Sequence, residues 1–203
     1  MIDSIKINID GHVKIWDPKT QEIFVNKRNA INPETMPLIM ATMLQGNNDS
    51  HIYEMHLGNA GLVIDETGNI TYNDVTDNLA TGTEAGLYNA TYFKVVDASD
   101  STNNYDPTNN NVVITHTSGL NYTDLVITCT LEENEPNSSS ENILITSPVE
   151  LNGDYIFNEL GLKSKGSTGK NTGYLLSHIV FDPVQKSANR VIQIIYTLRI
   201  RVN

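Results

Sequence analysis

The sequence is poor in several things, and each shortage narrows the reading. It has a single cysteine, Cys129, in 203 residues. No disulfide can close within the chain, so its stability asks for no oxidising compartment. Cys129 alternates in step with Leu125, Ile127 and Leu131, which reads as a buried small hydrophobe rather than a nucleophile. Basic residues are few: 13 Lys and Arg against 24 Asp and Glu leave a formal net charge of -11. A phosphate-binding surface needs clustered cations, so nucleic acid is not an expected partner. The nearest approaches to clusters, Lys27-Arg28, Lys163 to Lys170 and Arg199 to Arg201, read as solvated turns or edges. Long apolar runs are missing, and nothing approaches the roughly 18 residues of a membrane span. The N-terminus lacks a basic stretch followed by an apolar one, so no signal peptide is visible, no membrane partner is expected and the expected compartment is a cytosol. Aromatic residues make up only 7%, with one tryptophan, Trp16, which leaves little for sugar-reading platforms.

What is present is alternation. From Arg190 to Asn203, Ile192, Ile194, Tyr196, Leu198, Ile200 and Val202 fall on one face and mixed residues on the other. A period of two belongs to an extended strand, and one wholly apolar side belongs to an antiparallel strand laid on a core. Asp154 to Leu162 and Gly173 to Phe181 read as the two strands before it, followed by a turn over Asp182 to Asn189. Upstream, Tyr88 to Asp97, Val112 to His116 and Thr123 to Leu131 read as strands, as does Ile52 to Leu57. Ile143 to Ile145 and Val149 to Leu151 are shorter candidates. Between them lie polar loops at Asn73 to Gly86, Asp100 to Asn111 and Glu132 to Glu141.

The first 26 residues read as a three-strand meander. Ile5, Ile7 and Ile9 alternate, Asp10-Gly11 is a two-residue hairpin signal, Val13 to Trp16 resumes, and Asp17-Pro18 opens a second turn before Ile23 to Val25. This segment is expected to lean on the main body or on a neighbouring subunit. One helix stands out over about residues 34–45: Asn32-Pro33-Glu34 starts it, Met36, Ile39, Met40, Met43 and Leu44 recur at helical spacing, and Gly46 stops it. Its methionines read as core filler rather than a docking groove. The expected fold is mainly β: roughly eight to eleven short strands in the chain, arranged as an antiparallel β-sandwich over residues 27–203 with one short helix, and a β arm over residues 1–26.

No catalytic template is filled. Gly169-Lys170 has Ser164 where a phosphate loop needs Gly and Asn171 where it needs Ser or Thr. The histidines His12, His51, His56, His116 and His178 are scattered, and no nucleophile elbow is present. Asp97, Asp100 and Asp106 lack the spacing and the glycine of a calcium loop. Glu159 sits in an apolar strand end. That setting suggests a buried acid with a raised pKa, but the favoured expectation is that it faces solvent or accepts backbone N–H groups where the strand turns at Gly161, with Lys186 or Arg190 as a cross-strand partner. The expectation is therefore a protein that is not an enzyme, with no cofactor and no metal.

Several pieces in order carry a resemblance: Asn26 to Ile31, the short helix, Ile52-Tyr-Glu-Met-His-Leu-Gly-Asn-Ala-Gly61, Leu87 to Tyr92, Phe157-Asn-Glu-Leu-Gly-Leu162, Gly173 to His178, Phe181 to Lys186 and the closing strand. As a set they resemble virion structural proteins of contractile-tailed bacteriophages, of the T4-like and cyanophage kind. More distantly they are similar to the N-terminal collar domain of phage tail fibres. Ala60 stands where that family's turn more often has Gly. The resemblance implies a structural component of the virion, assembled in the host cytoplasm at tail, neck, collar or baseplate. Its partners would be copies of itself, in a symmetric homo-oligomer, and other virion proteins. A tail fibre continues into a shaft where this chain ends at Asn203, so a small separate component is expected. Capsid decoration and a carbohydrate- or receptor-binding module are the alternatives, and a depolymerase would need two carboxylates converging in a cleft. The residues expected at contacts are Ile5, Ile7, Ile9 and Trp16 of the arm, Asn59 and Ala60 of the glycine-flanked loop, and Lys163 and Lys170 of the later loop. Removing residues 1–16 is expected to weaken assembly and spare the body.

Overall fold

A computed structural model describes residues 5–75, 85–137, 142–144 and 155–203. Its elements in chain order are β1 (Ile7–Trp16), β2 (Ile23–Arg28), β3 (Ala30–Ile31), α1 (Thr35–Leu44), β4 (Ile52–Gly58), β5 (Leu62–Ile64) and β6 (Ile70–Tyr72). They continue as β7 (Ala90–Val95), β8 (Asn111–Thr115), β9 (Tyr122–Leu131), β10 (Tyr155–Ser164), β11 (Leu175–Lys186) and β12 (Ile192–Val202). Two five-stranded antiparallel sheets pack as a sandwich. The first runs β2-β1-β12-β9-β8 and the second β3-β11-β10-β4-β7, while β5 and β6 form a separate hairpin.

The alternation of the closing segment becomes the middle of the first sheet. Ile192, Ile194, Tyr196 and Leu198 are buried on its inner face, and Cys129 stands opposite Ile194, equally buried. Burial pushes the Cys129 thiol up to about 12, so it stays a neutral apolar group. Met55, Leu57, Leu160, Leu162 and Ile179 of the second sheet face this layer and complete one core. On the outer face the Arg199 guanidinium donates two hydrogen bonds of 2.7 Å to the carboxylate of Asp124 directly across the strand pair, which fixes register.

Asp10-Gly11 is not a turn. β1 runs through it, paired with β12 from Ile7 opposite Val202 to Trp16 opposite Gln193. The local hairpin signal loses because ten aligned residues place Val13 and Ile15 in the core, whereas a turn there would expose them. Gly11 serves close approach instead, since a Cβ there would run into the side chain of Asn29. Of the two supports considered for this segment, the main body takes residues 7–16, as an inner strand. Asp17 does make the next turn: its carboxylate accepts from the backbone N–H of Lys19 and Thr20.

The helix start is as the sequence suggests, with Asn32 Oδ1 accepting from the N–H of Glu34 and Thr35, and Gly46 past the end at φ +91°. Its face is only half covered. Met36 and Ile39 enter the core, but Met43 and Leu44 are exposed. The second sheet ends near Ile52 and Leu175 and gives the last turn nothing to pack on. The expected turn at Asp182 to Asn189 also shortens, because β11 runs on to Lys186. Pro183 is tolerated inside it because the β10–β11 register shifts between Phe157 and Glu159, a bulge where a missing N–H breaks no ladder bond. Twelve strands are present among the described residues, against eight to eleven expected. Ile143 makes one bridge, to Tyr92. The expected strand Val149 to Leu151, Ile145, and parts of the loops 73–86 and 132–141 lie outside the described residues.

Ile194→Ala is expected to lower unfolding free energy by about 2–5 kcal/mol in urea titrations, as for other fully buried aliphatic side chains. Deleting residues 1–16 is expected to abolish the cooperative thermal transition followed by circular dichroism, because it removes an inner strand.

Candidate functional site

The outer face of the second sheet carries a grid of polar residues that are not at the surface. Along β10 it presents Glu159, Gly161 and Lys163. Opposite them stand Gly58, His56 and Glu54 on β4, and Val180, His178 and Leu175 on β11. Glu54, His56, Glu159 and His178 are all buried. Ala85, Leu87 and Leu175 pack together on this side. A Cβ at Gly161 would come 2.9 Å from the Ser177 backbone carbonyl and 2.7 and 3.0 Å from the side chains of Leu175 and Leu87, so a larger residue would push on both the strand and the lid.

Glu159 is tied on every side. Oε1 accepts from the backbone N–H of Ala60 at 3.2 Å and of Asn89 at 2.9 Å. Oε2 accepts from the N–H of Tyr88 at 2.9 Å and from His178 Nε2 at 3.0 Å. Burial alone would raise its pKa, but these bonds outweigh burial and hold the carboxyl below its ordinary value. An ionised carboxylate only accepts, so His178 carries its proton on Nε2. Lys186 and Arg190 are not its partners. Lys186 Nζ donates to the Ser187 carbonyl, and Arg190 lies 3.7 Å from Asp17. The N–H groups Glu159 satisfies come from the 58–61 and 88–89 segments rather than from a turn at Gly161, where β10 is straight strand. Gly58 is required beside it, because a Cβ there would meet Glu159 Oε1 and the Asn89 carbonyl.

Glu54 and His56 form a second pair. His56 Nε2 bonds Glu54 Oε2 at 2.8 Å, Asn171 N–H donates to Oε1 at 2.7 Å, and the His56 ring stacks on Phe93. Burial depresses the His56 pKa more than Glu54 restores it, so the imidazole is neutral at neutral pH. Two acid–imidazole pairs on one sheet face have the composition of an acid–base site. General acid–base chemistry requires reach to a substrate proton, and the carboxylate oxygens of both pairs are bonded to backbone N–H groups and imidazole. They act as staples between strands and loops. The Glu54-x-His56 spacing puts both on one strand face, a signal for this pair that the sequence analysis passed over. Nothing local announces Glu159 with His178, 19 residues apart.

The residues expected at contacts fall in three separate places. Ile5 and Ile7 are exposed and Ile9 half-buried, at the end where the first sheet outruns the second. There a groove of about 590 Å³ is lined by Ile9, Met40, Leu44, Ile114, Leu125 and Ile200. Trp16 is at the far end of β1; its Nε1 donates to Gln193 Oε1 and Lys14 Nζ lies 4.2 Å over its ring. Asn59 and Ala60 belong to the Glu159 staple. Lys163 lies opposite Glu54, its pKa lowered by burial and partly restored by that carboxylate, while Lys170 lines a different, polar cleft. Among the loop aspartates, Asp97 accepts from Ser99 and faces His51, Asp100 accepts from Tyr53 and Asn103, and Asp106 accepts from Asn109. Among the described residues no three His, Cys, Asp or Glu side chains group to hold a metal ion.

Glu159→Ala is expected to destabilise by roughly 3–5 kcal/mol in urea unfolding at neutral pH, as for a broken buried pair. The pH dependence has a definite sign. The folded pKa values of His56 and Glu159 both lie below their ordinary values of 6.5 and 4.5, so around those values the unfolded chain binds more protons. Stability is full above these ordinary values and falls on acidification, through His56 first and Glu159 second. Glu159→Gln is expected to flatten the lower part of that curve and leave the upper part.

Compared with models of protein families, with curated proteins and with solved structures, the chain matches none.

Proposed function

We propose that the chain is a non-enzymatic structural component of a tailed-phage virion, at the tail, neck, collar or baseplate, and that it assembles with copies of itself. The observation that carries the assembly part is the apolar shelf at one end of the sandwich. Leu44 is 90% exposed and Ile114 69%, and both line the groove beneath α1 with Ile9; Ile7, two residues before Ile9 on β1, is 53% exposed and Ile5 69%. Scattered apolar residues on a surface are ordinary, but a continuous set beside an open groove marks a contact face. A second copy of the chain fits it by chemistry: an apolar shelf is complementary to itself across a twofold axis. Among the described residues β8, which contributes Ile114, is the edge strand of the first sheet. The acidic balance keeps free subunits apart until the shelves meet. The motif set supports the virion part, and the enclosed, saturated carboxylates support a role without turnover.

Sedimentation of the purified chain is expected to show a concentration-dependent oligomer. Leu44→Glu with Ile114→Glu is expected to weaken it at least about tenfold, or 1.4 kcal/mol, with an unchanged melting temperature, since both side chains are exposed. A wild-type chain that stays monomeric at every concentration would remove the assembly reading. Quantitative mass spectrometry of purified particles is expected to find the chain at a copy number above one, and its absence would remove the virion reading.

A further inference from the structure

We propose that two copies of the chain join through β8, each strand pairing with its counterpart antiparallel across a twofold axis to make one sheet of ten strands. This gives the self-assembly already proposed its geometry, and it rests on that reading. Among the described residues the two five-stranded sheets have four edges, β2, β8, β3 and β7. A bare strand edge is a template for further pairing unless something guards it. Three of the four are guarded. β7 is capped by residues 142–144: Phe93 N–H donates to the Asn142 carbonyl at 3.2 Å, and Leu144 N–H donates to the Thr91 carbonyl at 2.9 Å. β3 is only two residues long. β2 ends in Lys27 and Arg28, and its pairing with β1 is interrupted by a register shift at Ile15 and Trp16.

β8 has none of these devices. Its residues, Asn111-Val-Val-Ile-Thr115, include no charge, no proline and no glycine. They pair with β9 without a bulge, from Asn111 opposite Thr128 to Thr115 opposite Asp124. Val113 is half exposed and Ile114 more so. Charge points the same way. No Asp, Glu, Lys or Arg occurs from Pro107 to Thr123 or from Thr35 to Asn48, the two longest such stretches in the chain. The first holds β8 and the second α1, and both elements line the groove. A net charge of -11 keeps copies apart over the rest of the surface, so this neutral corner is where two of them can touch. A cationic partner, by contrast, finds no carboxylate on β8 or α1 to recognise.

The register follows from overlap. Pairing all five residues places Val113 on the axis opposite its own copy, Val112 opposite Ile114, and Asn111 opposite Thr115. Side chains alternate along a strand, so Val112 and Ile114, which line the groove, meet their counterparts on one face. The apolar walls of the two grooves then run on from one copy to the next. On the other face Val113 meets Val113, a β-branched pair of the kind that stabilises sheets.

The test uses the purified full chain. Val113→Cys is expected to form a cross-linked dimer with the thiol oxidant diamide. Wild type, whose Cys129 is buried, and Asn111→Cys, which would face Thr115, are expected not to. Val113→Lys and Val113→Glu are each expected to weaken association about tenfold or more in sedimentation, with the fold intact by circular dichroism. Mixing the two is expected to restore it, because opposite charges then face each other across the axis. A wild-type chain that stays monomeric at every concentration overturns the assembly reading and this pairing with it. A wild-type oligomer overturns the pairing alone if Val113→Cys gives no cross-linked dimer, if Val113→Lys associates as tightly as wild type, or if the Lys and Glu variants fail to restore each other.

Discussion

The structure depends on burying one face of β12. That strand lies third of five in the first sheet, and its apolar side chains meet the inner faces of β4, β10 and β11 across the sandwich. Each large side chain buried there contributes roughly 1.5–3 kcal/mol relative to exposure, which sets the register of the whole sheet. β1 is drawn into line on one side and β9 on the other, because any slip by one residue would turn the apolar face to water.

The second sheet is held by a different kind of force. Its outer face buries two carboxylates and two imidazoles, which would be costly without partners, and each is given them by strands and loops far apart in sequence. Glu159 alone joins β10 to β11, to the loop after β4 and to the turn before β7. Glycines at 58 and 161 are the counterpart of this arrangement, since the space a side chain would need is taken by the carboxylate and by the lid. The inner face thus specifies register by apolar burial and the outer face by polar saturation.

The surfaces left over are of two kinds at different places. One end of the first sheet, with the last turn of α1, leaves apolar side chains to water. Beside β7, the 97–110 loop leaves Tyr105 exposed. A component that assembles through the first surface keeps the second free, because the groove under α1 and the cleft at Tyr105 share no lining residue.

The sequence by itself determined the sandwich class, a helix over about residues 34–45 (35–44 in the structure), the turn at Asp17, the buried thiol and the apolar face of the closing strand. All of these follow from periodicity and local turn chemistry, which act over a few residues. Tertiary structure decided that Asp10-Gly11 is strand and not turn, that β11 runs past Pro183, and that Glu159 pairs with His178 and not with Lys186 or Arg190. Those outcomes depend on which distant strand lies alongside and on what covers the outer face. Pairing over ten residues outweighs a two-residue turn preference. The partner of a buried charge is chosen by sheet register, and no local window of sequence contains that register.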